Sequence, residues 1–194
     1  MTSLSTGEAA VLERAADAPM LDQTCAWAAI NSGSANLAGL AEVAGALADA
    51  FSALPGNVEL HDPVPGERVE SDGAVVARET GRNLHLKVRP EAPVQMLLTG
   101  HMDTVFGVSD PFQTLTWLDD TTLNGPGVAD MKGCIAVMLA ALRAVEASPL
   151  TERLGYEVVI NSDEEIGSPG SAALIAEAAR GKAAALTYEP ALPD

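Results

Sequence analysis

Three short apolar runs in this chain each pass directly into a knot of acid or imidazole side chains. Val94-Gln95-Met96-Leu97-Leu98 leads to Gly100-His101-Met102-Asp103, and Tyr156 to Ile160 leads to Asn161-Ser162-Asp163-Glu164-Glu165. Ala184 to Tyr188 leads to Glu189-Pro190. Dense apolar runs of this length suit strands buried on both faces. In open α/β sheets, ligand sites gather beyond the carboxyl ends of strands. Three polar clusters at three such ends are therefore expected to converge on one crevice. A fourth cluster, around Asp130, opens a helix.

The rest of the pattern fits an α/β domain. Glu8 to Ile30 has helical spacing, which Pro19 splits or kinks. Asn36 to Leu54 is a second helix, with Leu37, Leu40, Val43, Leu47 and Phe51 at steps of three and four, and Pro55-Gly56 ends it. Val58 to Leu60 and Leu84 to Val88 alternate as strands. Leu115 to Leu118 and Thr121 to Leu123 pair as a hairpin across Asp119-Asp120. Met131 to Glu146 reads as a strong helix, and Ser168 to Arg180 as another with Pro169 in its first turn. A chain of 194 residues has room for one compact domain and part of a second.

Composition narrows the partners. The formal charge of −16 repels phosphate backbones, so no nucleic-acid partner is expected. No apolar run reaches the roughly 18 residues of a membrane span, and no signal-like N-terminal segment is evident. The reading is a cytoplasmic protein without a membrane partner. Cys25 and Cys134 form no C-x-x-C pair and read as reduced, partly buried thiols.

Each polar cluster has a bland reading beside a chemical one. His101 is a ligand for zinc-like ions, with Asp103 placed two residues on to hold the ring, or it is a strand-end histidine with a capping Asp. Asp130, in Asn124-Gly125-Pro126-Gly127-Val128-Ala129-Asp130-Met131-Lys132-Gly133, points inward from a glycine-rich turn or caps a helix. This glycine run is neither a P-loop nor a full dinucleotide fingerprint. Asp163-Glu164-Glu165 crowds three acids that need neutralising unless they lie in an exposed loop. On extended backbone Glu164 and Glu165 point opposite ways and can serve different tasks. Glu189 alone says little.

Taken together and in order, G-H-M-D-T-V, G-P-G-V-A-D-M-K-G, S-D-E-E-I-G-S and Y-E-P resemble the M20 family of metallopeptidases and deacylases. That family includes glutamate-releasing carboxypeptidases, aminoacylases, acetylornithine deacetylases and succinyl-diaminopimelate desuccinylases. The resemblance runs from Asn31 through Asp194. It implies a three-layer, zinc-exopeptidase-like α/β catalytic domain with a mixed central sheet. It also implies two divalent ions, zinc first and cobalt or manganese as alternatives. His101 and Glu189 would bind one ion, Asp130 would bridge both, and Glu165 would bind the second. Asp103 would orient His101, and Glu164 would be the general base for a water held between the metals. A cis peptide is implied at Asp130-Met131. The implied reaction is hydrolysis of amide bonds in small N-acyl amino acids or peptides.

Some family features are not matched. Cys134 stands where a second glycine is usual. Only His61, His85 and His101 are present, and the first two read as surface or strand residues. The resemblance therefore implies that residues 1–194 are the N-terminal portion of a catalytic domain, truncated before a lid domain. The lid, a C-terminal catalytic segment with a further metal-binding histidine, and a lid-borne dimer surface are expected to lie elsewhere. The isolated chain is expected to have low activity. The alternative is an inactive metal-binding or interaction module of the same fold.

Overall fold

The computed structural model describes residues 4–191. Capping fixes the first helices. Ser5 caps α1 (Thr6–Ala16) through a reciprocal capping box with Glu8. Pro19 divides that helix from α2 (Met20–Ala28), as the sequence predicts. The Asn36 side chain accepts from Gly39 N–H and starts α3 (Leu37–Phe51). Gly39 is required by a close approach, because a Cβ there would run into the Asn31 carbonyl.

The strands follow in order: β1 (Asn57–His61), β2 (Gly66–Val69), β3 (Val75–Arg78), β4 (Asn83–Val88), β5 (Val94–His101), β6 (Thr116–Trp117) and β7 (Leu123–Asn124). Then come α4 (Cys134–Glu146), β8 (Leu154–Asn161), α5 (Ala172–Ala178) and β9 (Ala184–Thr187). Five strands form one mixed sheet in the order β1-β4-β8-β5-β9. β1 and β8 run antiparallel to β4, while β5 runs parallel to both β8 and β9. The carboxyl ends of β8, β5 and β9 thus lie side by side at one edge, where the sequence predicts the polar clusters to meet. The β5–β8 register sets His101 opposite Asn161.

Alternation along the strands divides the sheet into two unlike faces. One face sends Leu84, Leu86, Leu98, Tyr156, Val158 and Ile160 into the main core with α3 and α4. Leu40, Val43, Leu47, Ile135, Met138 and Leu139 meet them, all fully buried. A buried side chain of this kind stabilises the fold by roughly 1.5–3 kcal/mol. The other face carries a small cluster of Leu97, Val159 and Ala178 under α5. Beside it lies a polar chain: His85 Nε2 is 2.6 Å from Glu157 Oε2, and Lys182 Nζ donates to Glu157 Oε1 at 2.6 Å. His85 in β4 and His61 in β1 meet with ring centres 5.2 Å apart, tilted 54° to each other, so both histidines hold strand positions rather than joining the polar edge.

Three boundaries differ from the sequence expectation. The helix expected from Met131 begins at Cys134, because Asp130 and Met131 take non-helical backbone. The helix expected from Ser168 begins at Ala172, since Ser168 sits at φ 57 and its segment forms a turn. The hairpin at β6–β7 pairs Thr116 with Asn124 and Trp117 with Leu123, so its turn is longer than Asp119-Asp120. The β2–β3 hairpin was not expected. Its strands are mostly exposed, and its one signal is Asp72-Gly73, with Gly73 at φ 86.

The polar chain sets an acid limit on stability. Burial pulls His85 below its ordinary 6.5, against the pull of Glu157. Burial alone would raise Glu157, but Lys182 and His85 outweigh it and hold the carboxyl below 4.5. Both groups take up protons less readily when folded than when unfolded. Their stabilisation is present above the unfolded values and is lost as pH falls, first below 6.5 for His85 and then below 4.5 for Glu157. Glu157→Gln is expected to cost about 1–3 kcal/mol at neutral pH. In urea unfolding measured across pH, it should also flatten the limb below 4.5 and steepen the one just below 6.5, because Glu157 no longer pulls His85 up.

Candidate metal centre

At the edge where β8, β5 and β9 end, one imidazole nitrogen is surrounded by carboxylates. His101 is buried at the end of β5. Its Nε2 lies 3.0 Å from Asp130 Oδ1, 3.8 Å from Glu189 Oε2 and 4.0 Å from Glu164 Oε2. Ligand-capable atoms of His101, Asp130 and Glu165 all fall within 4.8 Å of one another. His101 Nδ1 faces the other way, 3.0 Å from the Asp103 carbonyl and 3.4 Å from Asp103 Oδ1. This fixes the ring so that Nε2 points at the acids.

Asp103 does more than orient the ring. Its carboxylate is fully buried and accepts from the Ser34 hydroxyl at 2.7 Å. It also accepts from the Glu164 and Glu165 amides at 3.1 and 3.2 Å. One carboxylate thereby ties the loop after α2, the end of β5 and the turn after β8. The neighbouring acid Asp163 faces inward and accepts from Gly170 N–H and the Ser171 hydroxyl, both at 2.6 Å. Asp163 therefore shapes the turn, and leaves Glu164 and Glu165 to face the crevice.

Asp130 reaches His101 from a wide turn at Val128–Gly133. Gly127 enters this turn at φ 71, a left-handed conformation that favours glycine. The Asp130-Met131 peptide is cis, and Met131 Sδ accepts from His101 N–H at 3.1 Å. Lys132 is buried, and its Nζ turns away from the acids to donate to the Ile30 carbonyl at 2.8 Å. Burial alone lowers its ammonium to about 8.

The electrostatics describe a site that favours a cation. Burial pulls the His101 imidazole down, but Asp103, Glu189 and Asp130 outweigh it and raise it to about 9. Burial raises Glu165, opposed by His101 and reinforced by Asp130, Asp103 and Glu164. Glu189 is raised by burial as well, opposed by His101 and reinforced by Asp130 and Glu164. These carboxylates crowd one another around a single imidazole. An imidazole with several carboxylates is a donor set for zinc and similar divalent ions, so the residues fit a metal.

Comparison with known proteins gives the family. Residues 97–194 match the description Peptidase family M20/M25/M40. The chain belongs to this family. Carboxypeptidase G2 of Pseudomonas sp. (strain RS-16) is 35% identical over 127 residues, 63% of this chain and 29% of that protein. Acetylornithine deacetylase of Salmonella paratyphi B is 38% identical over 130 residues, 64% of this chain and 30% of that protein. The chain thus spans under a third of the length of these curated relatives. Among solved structures, a dipeptidase from Saccharomyces cerevisiae superposes with a TM-score of 0.71 at 16% identity, over 92% of this chain and 40% of that one. Human carnosine dipeptidase 1 gives 0.66 at 20% identity, over 91% and 39%. At such identities the structures show a shared fold, the α/β architecture with a mixed central sheet.

Within this M20/M25/M40 chain, the structure brings together the six residues singled out from sequence: His101, Asp103, Asp130, Glu164, Glu165 and Glu189. Two details of the sequence argument change. Asp130 does not cap a helix; Gly133 precedes α4. Glu164 and Glu165 lie in a tight helical turn, Glu164–Ile166, so the alternation of extended backbone does not separate them. Hydrogen bonds from their backbone N–H groups to the Asp103 carboxylate position them instead. Ser34 and Lys132 were missed. Lys132 had a signal, a lysine inside the D-M-K-G run. Ser34 had none, being 69 residues from Asp103. Cys134 is half-buried, and burial, with Glu189 and Asp130, raises its thiol, so it is a poor thiolate.

Asp103→Asn removes a charge and half the acceptor capacity that holds Ser34 and both glutamate amides. Zinc affinity, measured by competition with a chromophoric chelator, is expected to fall about 10–100-fold. Asp62→Asn, at an exposed position, should leave it unchanged.

Proposed function

We propose that this chain carries the metal-binding and proton-transfer groups of a zinc-dependent hydrolase of amide bonds. The observation that carries the reading is His101 Nε2 facing Asp130, Glu189 and Glu164 within 4.0 Å at the ends of three adjacent strands. His101, Asp130 and Glu189 would hold one ion, with Asp130 and Glu165 the donors toward a second. A divalent ion bound there supplies Lewis acidity, lowering the pKa of water from about 15.7 toward ~7 and polarising the amide carbonyl.

The protein's own groups do the rest. Glu164 is half-exposed at the crevice, and its backbone is pinned to Asp103. Its Oε2 takes the proton of the attacking water and returns it to the leaving nitrogen. Asp103 keeps the His101 ring turned toward the acids. Its buried carboxylate also holds Glu164 and Glu165 in fixed relation, so both are placed before substrate arrives. Relatives named as a carboxypeptidase and a deacetylase support an N-acyl amino acid or a small peptide as substrate. Two free cysteines suit a reducing, cytoplasmic setting.

The reading also holds that a further imidazole, beyond the groups this chain brings to the site, completes the second metal position, and that a separate lid contacts the substrate. Calorimetric titration of the purified chain with zinc is therefore expected to show one tight equivalent and a weaker second one. Two tight, equal sites would contradict this. Glu164→Gln should keep the zinc stoichiometry and reduce any hydrolysis of N-acetyl amino acids or glutamate-ended peptides about 10²–10⁴-fold. A loss of zinc in that variant would assign Glu164 to the metal rather than to the proton.

A further inference from the structure

The β2–β3 hairpin supplies none of the groups above, yet its last residue reaches the same crevice. Arg78 lines a cleft of about 280 Å³ together with Ser34, Thr104 and Glu165. A second cleft, of about 390 Å³, meets the first at Ser34, Ala35 and Arg78 and adds Arg68. Arg78 is half-buried, and among the described residues its guanidinium makes no hydrogen bond or ion pair.

That state sets Arg78 apart. The other cations drawn into the fold all have partners. Arg89 pairs with Glu146, Lys182 with Glu157, Lys132 with the Ile30 carbonyl and Arg143 with the Ala50 carbonyl. Arg68, in the adjoining cleft, is paired with Glu70 at 2.7 Å. The remaining arginines without such partners among the described residues, Arg14, Arg82, Arg153 and Arg180, are exposed. In a chain with 27 acidic residues, a half-buried guanidinium left without an acid is a vacant anion partner.

We propose that Arg78 is an anion-binding residue that pairs with a carboxylate on a ligand lying in the cleft between Arg78 and Glu165. The proposal rests on the hydrolase reading, which places the scissile amide at His101 and Glu164. Guanidinium and carboxylate match as planar, two-pronged partners. A carboxylate approaching this acidic chain meets a repelling field, and Arg78 is the cation on the cleft wall beside Glu165 that offsets it. A neutral carboxamide of the same shape leaves the guanidinium unpaired. Arg78 therefore selects for charge and sets which end of the ligand lies away from the reacting bond.

The test is an NMR titration of the zinc-loaded chain with N-acetylglycine and, separately, N-acetylglycinamide. The carboxylate is expected to bind about 10-fold more tightly than the amide and to shift the resonances of Arg78, Ser34 and Thr104. Arg78→Gln should abolish that preference, and Arg78→Lys should retain part of it, while Arg82→Gln keeps it whole. Thermal melts establish that the variants fold. If Arg78→Gln does not fold, the reduced preference in Arg78→Lys serves as the readout. Equal binding of the two probes, an undiminished preference in the folded variants, or no saturable carboxylate binding by the parent would overturn the assignment. Zinc titration separates this from failure of the hydrolase reading. A chain that binds zinc with an Arg78-independent preference sinks the assignment alone, whereas a chain that binds no zinc sinks the metal centre.

Discussion

The site depends on one buried carboxylate. Asp103 is fully removed from solvent, where an unpaired charge costs several kcal/mol, and it persists because three donors converge on it. Those donors come from two places: Ser34 after α2, and the amides of Glu164 and Glu165 after β8. The Asp103 carbonyl holds the His101 ring at the same time. The interactions that satisfy this charge also aim an imidazole nitrogen and two carboxylates at one point, so folding and preorganisation of the crevice are here the same event.

Sheet order makes that convergence possible. β8, β5 and β9 are adjacent and parallel, so their polar ends share an edge, and the apolar face beneath α3 and α4 fixes the register. A slip of one residue would turn His101 to the opposite face and leave Gly100 or Met102 in its place. The main core lies on one face only. The opposite face combines a small apolar cluster with the His85–Glu157–Lys182 chain, so part of its stability is electrostatic and sensitive to acid.

Periodic features were legible in the sequence. The split at Pro19, the α3 face and the dense strands all follow from spacing, and so does the gathering of their polar ends. Features set by tertiary contact were not. The spacing of Met131 is helical, but the backbone at Asp130 and Met131 bends to bring Asp130 to His101, and α4 starts later. Glu164 and Glu165 are placed by a carboxylate 61 and 62 residues away, which no local pattern reports. The β2–β3 hairpin buries little, so its composition lacks the apolar signal that marks a strand, although it delivers Arg78 to the crevice.

The central claim is that His101 and the surrounding carboxylates bind a divalent ion directly. X-ray absorption at the zinc edge of the loaded chain reads that coordination shell. The account predicts only nitrogen and oxygen neighbours, at about 2.0–2.2 Å, with the outer-shell pattern of one imidazole that disappears in His101→Ala. A sulfur neighbour near ~2.3 Å would place the ion on a cysteine, and a spectrum unchanged in His101→Ala would place it elsewhere on this acidic surface; either result contradicts the account.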